Sequence, residues 1–220
     1  MSDSVSWGGL TGQTAYSSGT LMIWVRNEVL GTGFTLFRNG SLFSLSFPSP
    51  SSDLRATVTM NDGGANNFSF CNTTSLSATG VWRQILASWD SGFTVGNRLA
   101  TMVVTGNVGT AIVNDSGTGS LTVPVPASSL LGYVGDASHG CISEFYFAPG
   151  QYIDLNVASN RAKFITAGGE PVYLGQTGEI PTGTAPLIYL KNPTATYNVN
   201  SGTGGNGTIG GTLSACSSVP

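Results

Sequence analysis

The stretch GYVGDASHGCISEFYFAPGQY, residues 132–152, decides the fold class. Its second half alternates strictly, and side chains alternate across a pleated strand. The pattern predicts a strand with two faces: Ile142, Glu144 and Tyr146 on one, and Cys141, Ser143, Phe145 and Phe147 on the other. Pro149-Gly150 then ends the strand, because proline cannot donate to a ladder and glycine permits a turn.

A second stretch, GVWRQILASWDS at residues 80–91, alternates in the same way. The pattern puts Val81, Arg83, Ile85, Ala87 and Trp89 on one face, and Trp82, Gln84, Leu86 and Ser88 on the other. We expect the two stretches to be partner strands at the centre of a β-sandwich.

Further short apolar runs occur every 8–14 residues or so, with turn signals between them, which is typical of a sandwich and not of βαβ units. The clearest are 21–26, 34–38, 41–47, 54–60, 98–105, 110–114 and 187–190. Asn39-Gly40 is a strong hairpin signal. Only one segment is predicted as helix: Asp154 or Asn156 would cap it, and it would run to Ile165 before Gly168-Gly169.

The chain divides into three parts on composition. Residues 1–18 are polar and rich in Gly and Ser, with Trp7 and Tyr16 as large anchors, so they form an extended arm or edge strand, or else a loose terminus. Residues 19–153 hold the predicted sandwich. Residues 154–220 form an extension packed on it, ending in a Gly-rich tail that folds as an irregular strand pair or serves as a tether.

Composition narrows the function classes. Charged residues make up 9 % of the chain and the net charge is −3, so the basic patch of a nucleic-acid-binding protein is missing. The start shows no signal-peptide pattern and no long apolar run predicts a membrane span. With 40 % hydrophobic and 10 % aromatic residues, the chain should form a large core and not a disordered segment.

The three cysteines are Cys71, Cys141 and Cys216. Their spacing fits no zinc signature. A bridge between Cys71 and Cys141 would close a long loop, but a chain made in a reducing cytosol rarely keeps one. We therefore expect three free buried thiols.

Catalytic patterns are largely missing. A glycosidase needs two facing carboxylates. None of the four glutamates has another acidic residue within four positions; they are Glu28, Glu144, Glu170 and Glu179. Asp136, Ser138 and His139 are too close in sequence to form a relay and are better explained as a turn. Calcium could bind where Asp90, Asp136 and Asn114-Asp115 converge, although ordinary turn capping explains these residues as well. We expect no enzyme activity and no required cofactor.

Carbohydrate recognition remains, because sugars stack on exposed aromatic rings and hydrogen-bond to Asp and Asn. Trp24, Trp82 and Trp89 lie among apolar neighbours and are better explained as core. The remaining candidate ligand-binding residues are Trp7, Asp90, Asp136 and His139.

Several of these runs resemble the laminin-G/concanavalin A-like superfamily of lectin folds, over residues 19–153. The similar runs are LMIWVR (21–26), VWRQILASWD (81–90), TMVVTGN (101–107), LLGYVGD (130–136) and CISEFYFAPGQYIDL (141–155). The resemblance implies an all-β jelly-roll sandwich, with one short helix in the C-terminal third. The calcium-ligand aspartates usual in that family are not recognisable here.

The segment NRAKFITAGGEPVYLGQTGEIPTGTAPLIYL, residues 160–190, and its Gly/Asn-rich tail resemble lectin-like proteins of bacteriophage virions, and this resemblance covers about residues 130–215. This resemblance implies a non-enzymatic surface protein: a head fibre, a capsid decoration or cement protein, or a tail adhesin. It would be assembled in the host cytoplasm, with capsid protein, further copies of itself (a trimer for example) and host surface carbohydrate as partners. The alternative is an enzyme that degrades capsule polysaccharide on the same fold.

Overall fold

The structure is a computed structural model that describes residues 4–7, 15–27, 34–39, 43–47, 57–61, 67–71, 80–90, 92–93, 99–105, 108–114, 123–124, 129–132, 140–216 and 220. Nearly all regular structure in these ranges is β. The strands are β1 Ser4–Trp7, β2 Ala15–Tyr16, β3 Ser18–Asn27, β4 Phe34–Asn39, β5 Phe43–Phe47, β6 Thr57–Asn61, β7 Asn67–Cys71, β8 Trp82–Asp90, β9 Leu99–Thr105, β10 Val108–Asn114, β11 Val123–Pro124, β12 Ser129–Gly132, β13 Gly140–Pro149, β14 Ile188–Leu190 and β15 Thr208–Gly210.

These strands form two large antiparallel sheets. One has the order β15-β1-β12-β4-β5-β6-β7 and the other β10-β9-β8-β3-β13-β14, while β11 and β2 form a separate pair. The short helix α1, Ala158–Arg161, and a 3₁₀ helix, Thr194–Thr196, lie in the C-terminal part. The predicted all-β sandwich with one short helix is confirmed. No helix in the described ranges is long and apolar enough to cross a membrane.

The centre of the six-stranded sheet is β3, and not the pair β8 and β13 that we expected to be partners. β3 lies between them: Ile23 is directly opposite Ile85 of β8 on one side and Phe145 of β13 on the other. β3 contains the run LMIWVR. It pairs with a neighbouring strand on each side along most of its length.

The predicted strict alternation of β13 is wrong in its first half, because the strand contains a bulge. Ile142 is opposite Val25 and Phe145 is opposite Ile23, so three steps along β13 match two steps along β3. An extra residue of this kind exchanges the faces of the side chains before and after it. Ile142 therefore faces the same side as Phe145, and not the side of Tyr146.

The inner face of the six-stranded sheet packs against the other sheet. Phe37 of β4 contacts Phe145 and Phe147, with ring centroids 4.7 and 4.9 Å apart. Trp89 of β8 stacks beside Phe147 at 6.2 Å, and Ile85 on the same face is fully buried. The predicted faces of β8 are confirmed, and this core holds the sandwich together through apolar burial.

The outer face of β3, β8 and β13 is also covered. Residues 151–187 fold back over it as a third layer, and side chains of the sheet and of this layer form one apolar cluster: Met22, Trp24, Leu86, Tyr146, Ala148, Ile153, Leu155, Phe164, Ile165, Leu174 and Tyr189. The amide of Gln84 donates to the Phe164 carbonyl oxygen at 2.8 Å inside this layer. Much of the high apolar content of the chain is therefore used within one molecule.

The helix is much shorter than the predicted segment that would end at Ile165. It begins after Val157, which makes no side-chain capping bond. The Asp154 carboxylate instead accepts from the Asn156 backbone N–H at 2.9 Å and from its side-chain amide at 3.0 Å. This local turn competes with a longer helix, because an Asx side chain offers the backbone a non-helical partner.

Both ends of the chain join the seven-stranded sheet. β1 pairs with β12 on one side and with β15 on the other, so it is an interior strand. The Trp7 indole N–H donates to the Gly205 carbonyl oxygen at 3.1 Å. Asn200 organises the tail, since its side chain accepts from the Tyr189 N–H at 2.7 Å and donates to the Leu187 carbonyl at 3.0 Å. The tail up to β15 thus folds onto the sandwich.

The expectation of three free thiols is wrong, and so is the alternative bridge from Cys71. Cys141 forms a disulfide with Cys216, with the Cα atoms 6.0 Å apart. This is an ordinary Cα separation for a disulfide. The pairing was missed because it depends on how the tail returns to β13, which spacing along the sequence does not reveal.

Candidate functional site

The structure puts the four predicted ligand-binding residues in different situations. Trp7 is 3 % exposed, and its indole joins the N-terminal strand to the tail. Asp90 is half-buried at the end of β8, and its carboxylate accepts from the Gly92 N–H at 2.8 Å. Asp136 and His139 lie outside the described residues. Their role as ligand-binding residues stays a prediction.

The expected absence of a metal also stays a prediction. In the ranges that the structure describes, no three His, Cys, Asp or Glu side chains come together as a metal site. Two of the aspartates considered for calcium, Asp115 and Asp136, lie outside those ranges.

An aromatic pair, the exposed Phe93 and the half-buried Tyr152, lies beside Asp90. Phe93 follows β8 and is 45 % exposed, and its ring packs edge-on against Tyr152 with centroids 5.3 Å apart. Asp90 sets the position of Phe93, because its backbone carbonyl accepts from the Phe93 N–H at 3.3 Å while its carboxylate holds Gly92. The turns that follow β8 and β13, the two strands on either side of β3, thus present two rings together.

Tyr152 is fixed by the turn that ends β13. Gly150 has a φ of +80°, which favours glycine, and its N–H donates to the Ser18 carbonyl at 2.7 Å. The Thr20 hydroxyl on β3 then donates to the Gln151 carbonyl at 2.8 Å and accepts from the Ile153 N–H at 3.1 Å. The backbone on both sides of Tyr152 is therefore anchored to the central strand.

A polar pocket of about 350 Å³ opens beside the Tyr152 ring. Its lining residues are Tyr152, Ile153, Asp154, Asn160, Lys163, Pro181 and Thr182. We call Phe93, Tyr152 and this pocket the aromatic cleft. Lys163 donates to the Pro181 carbonyl at 3.0 Å and Asn160 donates to the Asp154 carbonyl at 3.0 Å, so both side chains are oriented before any ligand arrives.

The electrostatics of the aromatic cleft are balanced. Burial raises the pKa of Tyr152 to about 12, and the carboxylates of Asp154 and Asp90 add to the effect. The tyrosine is thus a neutral donor at physiological pH. With one lysine near two aspartates, the cleft offers donors and acceptors and only a small net charge. It suits a ligand with hydroxyl groups and an apolar face.

Sequence reasoning missed Phe93, Tyr152 and the residues of the pocket. A signal was present, since each of the two rings follows a glycine that turns the chain after a strand: Gly92-Phe93 and Gly150-Gln151-Tyr152. The rings could not be paired from sequence because they are 59 positions apart and their contact depends on β3, which lies between their two strands.

Two of the glutamates considered for catalysis, Glu144 and Glu179, have shifted pKa values in the structure. Burial raises the pKa of Glu144 to about 7, with a smaller opposing effect from Lys191. The pKa of Glu179 is lowered by its own backbone N–H and by the Thr177 hydroxyl and N–H. The Glu179 carboxylate accepts from that hydroxyl at 2.7 Å, so it holds its own turn together.

Comparison of the whole chain with solved structures gives its fold. A "putative carbohydrate binding protein" from Bacteroides ovatus superposes with a TM-score of 0.57 at 17 % identity, over 97 % of this chain and 58 % of that chain. This chain therefore spans under two thirds of that protein. The fold is a lectin-like β-sandwich. At this identity the likeness concerns the fold alone.

Two further structures match less well. A heptameric SAP-like pentraxin from Limulus polyphemus is 11 % identical with a TM-score of 0.43, over 69 % of this chain and 77 % of that chain. The receptor-binding domain of botulinum neurotoxin type G is 14 % identical with a TM-score of 0.45, over 71 % and 41 %. No protein-family model and no curated protein sequence matches the chain.

Proposed function

We propose that this chain is a carbohydrate-binding module without catalytic activity, and that it binds glycan at the aromatic cleft. The observation that carries the proposal is the pairing of two accessible rings, Phe93 and Tyr152, with a polar pocket on a lectin-like sandwich. Sites of this kind combine apolar surface with a few oriented polar groups.

Each part of the aromatic cleft has a role in this proposal. The exposed Phe93 face packs against the apolar face of a sugar ring. Lys163 and Asn160 retain donors after their internal bonds, and Asp154 offers a carboxylate oxygen for sugar hydroxyls. Binding requires no cofactor, because oriented side chains supply all of these contacts.

The proposed setting is the surface of a bacteriophage virion, where the protein decorates the capsid, forms a head fibre or serves as an adhesin for host glycan. The support is the resemblance of residues 160–190 and the Gly/Asn-rich tail to virion lectin-like proteins, together with the low charge of 9 %. Its partners there are capsid protein and further copies of itself. Mass spectrometry of purified particles tests the setting: the chain should co-purify with capsid protein, and its complete absence from particles would contradict it.

The glycan proposal is tested with an array of host surface glycans. Wild-type protein should bind a defined subset, and addition of EDTA should leave the binding unchanged. Tyr152→Ala and Phe93→Ala should each weaken binding about tenfold or more, because an aromatic contact contributes on the order of 1 kcal/mol beyond its buried area. Release of reducing ends from the same glycans would instead favour the polysaccharide-degrading alternative.

Tyr173→Ala is the matched control, since Tyr173 is 66 % exposed and belongs to neither the aromatic cleft nor its pocket. It should bind like the wild type. Silence of the wild-type protein on the array, or equal losses in all three variants, would contradict the proposal.

A further inference from the structure

An exposed segment near the C-terminus is held on the molecule by the disulfide. Residues 211–216 follow β15 and adopt neither helix nor strand, and most of them are exposed, among them Thr212, Ser214 and Ala215. Cys216 at the far end of the segment is bonded to Cys141 on β13. We call residues 211–216 the strap, because they connect the seven-stranded sheet to the six-stranded sheet.

The near end of the strap is fixed by contacts other than the disulfide. β15 pairs with β1, where Ile209 is opposite Val5. Just before β15, the Gly207 N–H donates to the Asn198 carbonyl at 2.9 Å, and the Asn198 side-chain amide donates to the Gly207 carbonyl at 2.9 Å. These contacts hold residues 207–210 on the sandwich and do not involve Cys216.

The far end of the strap is loosely packed. Ala215 and Cys216 border a pocket of about 370 Å³, whose remaining lining comes from β8, β13 and residues 191–197. Atoms that face empty space forfeit the dispersion contacts that a close-packed neighbour would supply. The covalent bond to Cys141 therefore matters more at this end than packing does.

The two sulfur atoms of the disulfide differ in access. Cys141 is 4 % exposed, whereas Cys216 is half-buried, so a small thiol meets the Cys216 Sγ first. Attack of a thiolate at that atom forms a mixed disulfide on Cys216 and breaks the bond to Cys141, which leaves as a thiolate and takes up a proton. A second thiolate then attacks the reagent sulfur of the mixed disulfide. Cys216 is released as a thiol, and the two reagent thiols are oxidised to one disulfide.

We propose that the disulfide is a redox switch for the strap: a thiol reductant opens the bond and frees residues 211–216, while both sheets stay folded. The sheets share a core of apolar rings on other strands, such as Phe37 against Phe145 and Phe147. Thiols stay reduced in a cytosol and oxidise outside it, so the strap is free in the first environment and fastened in the second. The switch goes beyond carbohydrate binding and uses no residue of the aromatic cleft.

Limited proteolysis of the native protein tests the switch. Oxidised and dithiothreitol-treated samples are digested with subtilisin, and mass spectrometry measures the rate of cleavage within residues 211–216. Reduction should raise that rate about tenfold or more, because cleavage follows the population of the open form. The tryptophan emission maximum should stay unchanged, since Trp24 and Trp89 are buried in the sandwich and not in the strap.

Two variants separate the disulfide from other effects of the reductant. Cys216→Ser should be cleaved at the fast rate without dithiothreitol, and addition of dithiothreitol should not change that rate. Cys71→Ser is the matched control and should keep the full response, because Cys71 is not part of the bridge.

Three outcomes would overturn the switch. They are slow cleavage of both the reduced wild type and Cys216→Ser, a bridge that resists dithiothreitol until the protein is unfolded, and a shift of tryptophan emission on reduction that shows loss of the core. None of these outcomes bears on glycan binding at the aromatic cleft, which the array measures separately.

Discussion

Single residues explain several constraints on this fold, and the clearest example is Gly19 on β3, where the fold requires the absence of a side chain. Gly19 is directly opposite Trp89 on β8, and a Cβ placed on it would overlap the Trp89 ring. The ring cannot move away easily, because it is 1 % exposed and stacks beside Phe147. Close packing leaves no room for even one methyl group here.

We therefore expect Gly19→Ala to destabilise the protein by about 1–3 kcal/mol, the usual cost of overpacking a core. Chemical unfolding followed by fluorescence measures the loss. Gly168→Ala is the control, since its nearest contact would be an ordinary 3.6 Å from the Thr166 hydroxyl. Equal stability of the two variants would show that the Trp89 ring can move aside to accommodate the methyl group, which would contradict this prediction.

Glu144 makes stability depend on pH. Burial raises its pKa from 4.5 to about 7, so between these values the folded state binds more protons than the unfolded state. Stability should therefore be greatest below the unfolded pKa and fall as the pH rises through about 7, by up to about 3 kcal/mol.

The check is a comparison of urea unfolding at about pH 5 and about pH 8. Glu144→Gln has a similar shape without the titration, so it should remove most of this decline. A decline of the same size in Glu144→Gln would assign the pH dependence to other groups.

Among the elements, β8 and β13 show how far sequence patterns reach. The faces of β8 were predicted correctly because its nine residues pair with β3 without interruption. β13 was predicted only in part, because its bulge exists only in relation to β3. Alternation gives the faces of a regular strand, but the partner strand decides where a bulge interrupts it.

The sequence predicted an extension packed on the sandwich, but the contacts that order the third layer and the residues proposed for the aromatic cleft were beyond the reach of these patterns. Residues 151–187 have little regular structure, and isolated contacts such as the hydrogen bond from the Gln84 amide to the Phe164 carbonyl oxygen hold them in place. Asp90 was identified from its position at a strand end, whereas Tyr152 gave no periodic signal. Where the backbone is irregular, tertiary contacts and not local preferences determine the structure.

The disulfide fixes the tail to the central sheet. It joins residues 75 positions apart, and closing a loop of that length is worth about 4–5 kcal/mol in the chain-entropy treatment. Cys141→Ser with Cys216→Ser should lower the stability by a similar amount.

Thiol counting gives an independent measure of the same bond. Denatured protein without reductant should react with an alkylating reagent at one cysteine, Cys71, and with reductant at three. Three reactive thiols without reductant would contradict the bridge.

The whole molecule is a sandwich with a third layer on one sheet. Phe164 of that layer and Tyr189 of β14 contact the Tyr146 ring, with centroids 5.7 and 6.2 Å away. This arrangement explains how a chain with 9 % charged residues and 40 % hydrophobic residues can bury both faces of β3 and of the two strands beside it, β8 and β13. Assembly into oligomers or onto a capsid then depends on the outer surfaces and remains a proposal.

The layer also creates the proposed binding site. The aromatic cleft lies between the strand ends near Ser18 and the third layer. A two-layer sandwich ending at Ile153 would lack Asn160, Lys163 and Thr182. The C-terminal extension is thus part of the proposed recognition surface.

The most direct test of carbohydrate binding at the aromatic cleft is hydrogen–deuterium exchange with and without the glycan that binds most strongly on the array. We predict slower exchange in residues 150–154 and 160–163, where the backbone flanks the cleft, and no change around Tyr173. Protection confined to other parts of the chain, or none at a saturating concentration of glycan, would contradict the assignment of the aromatic cleft as the carbohydrate site.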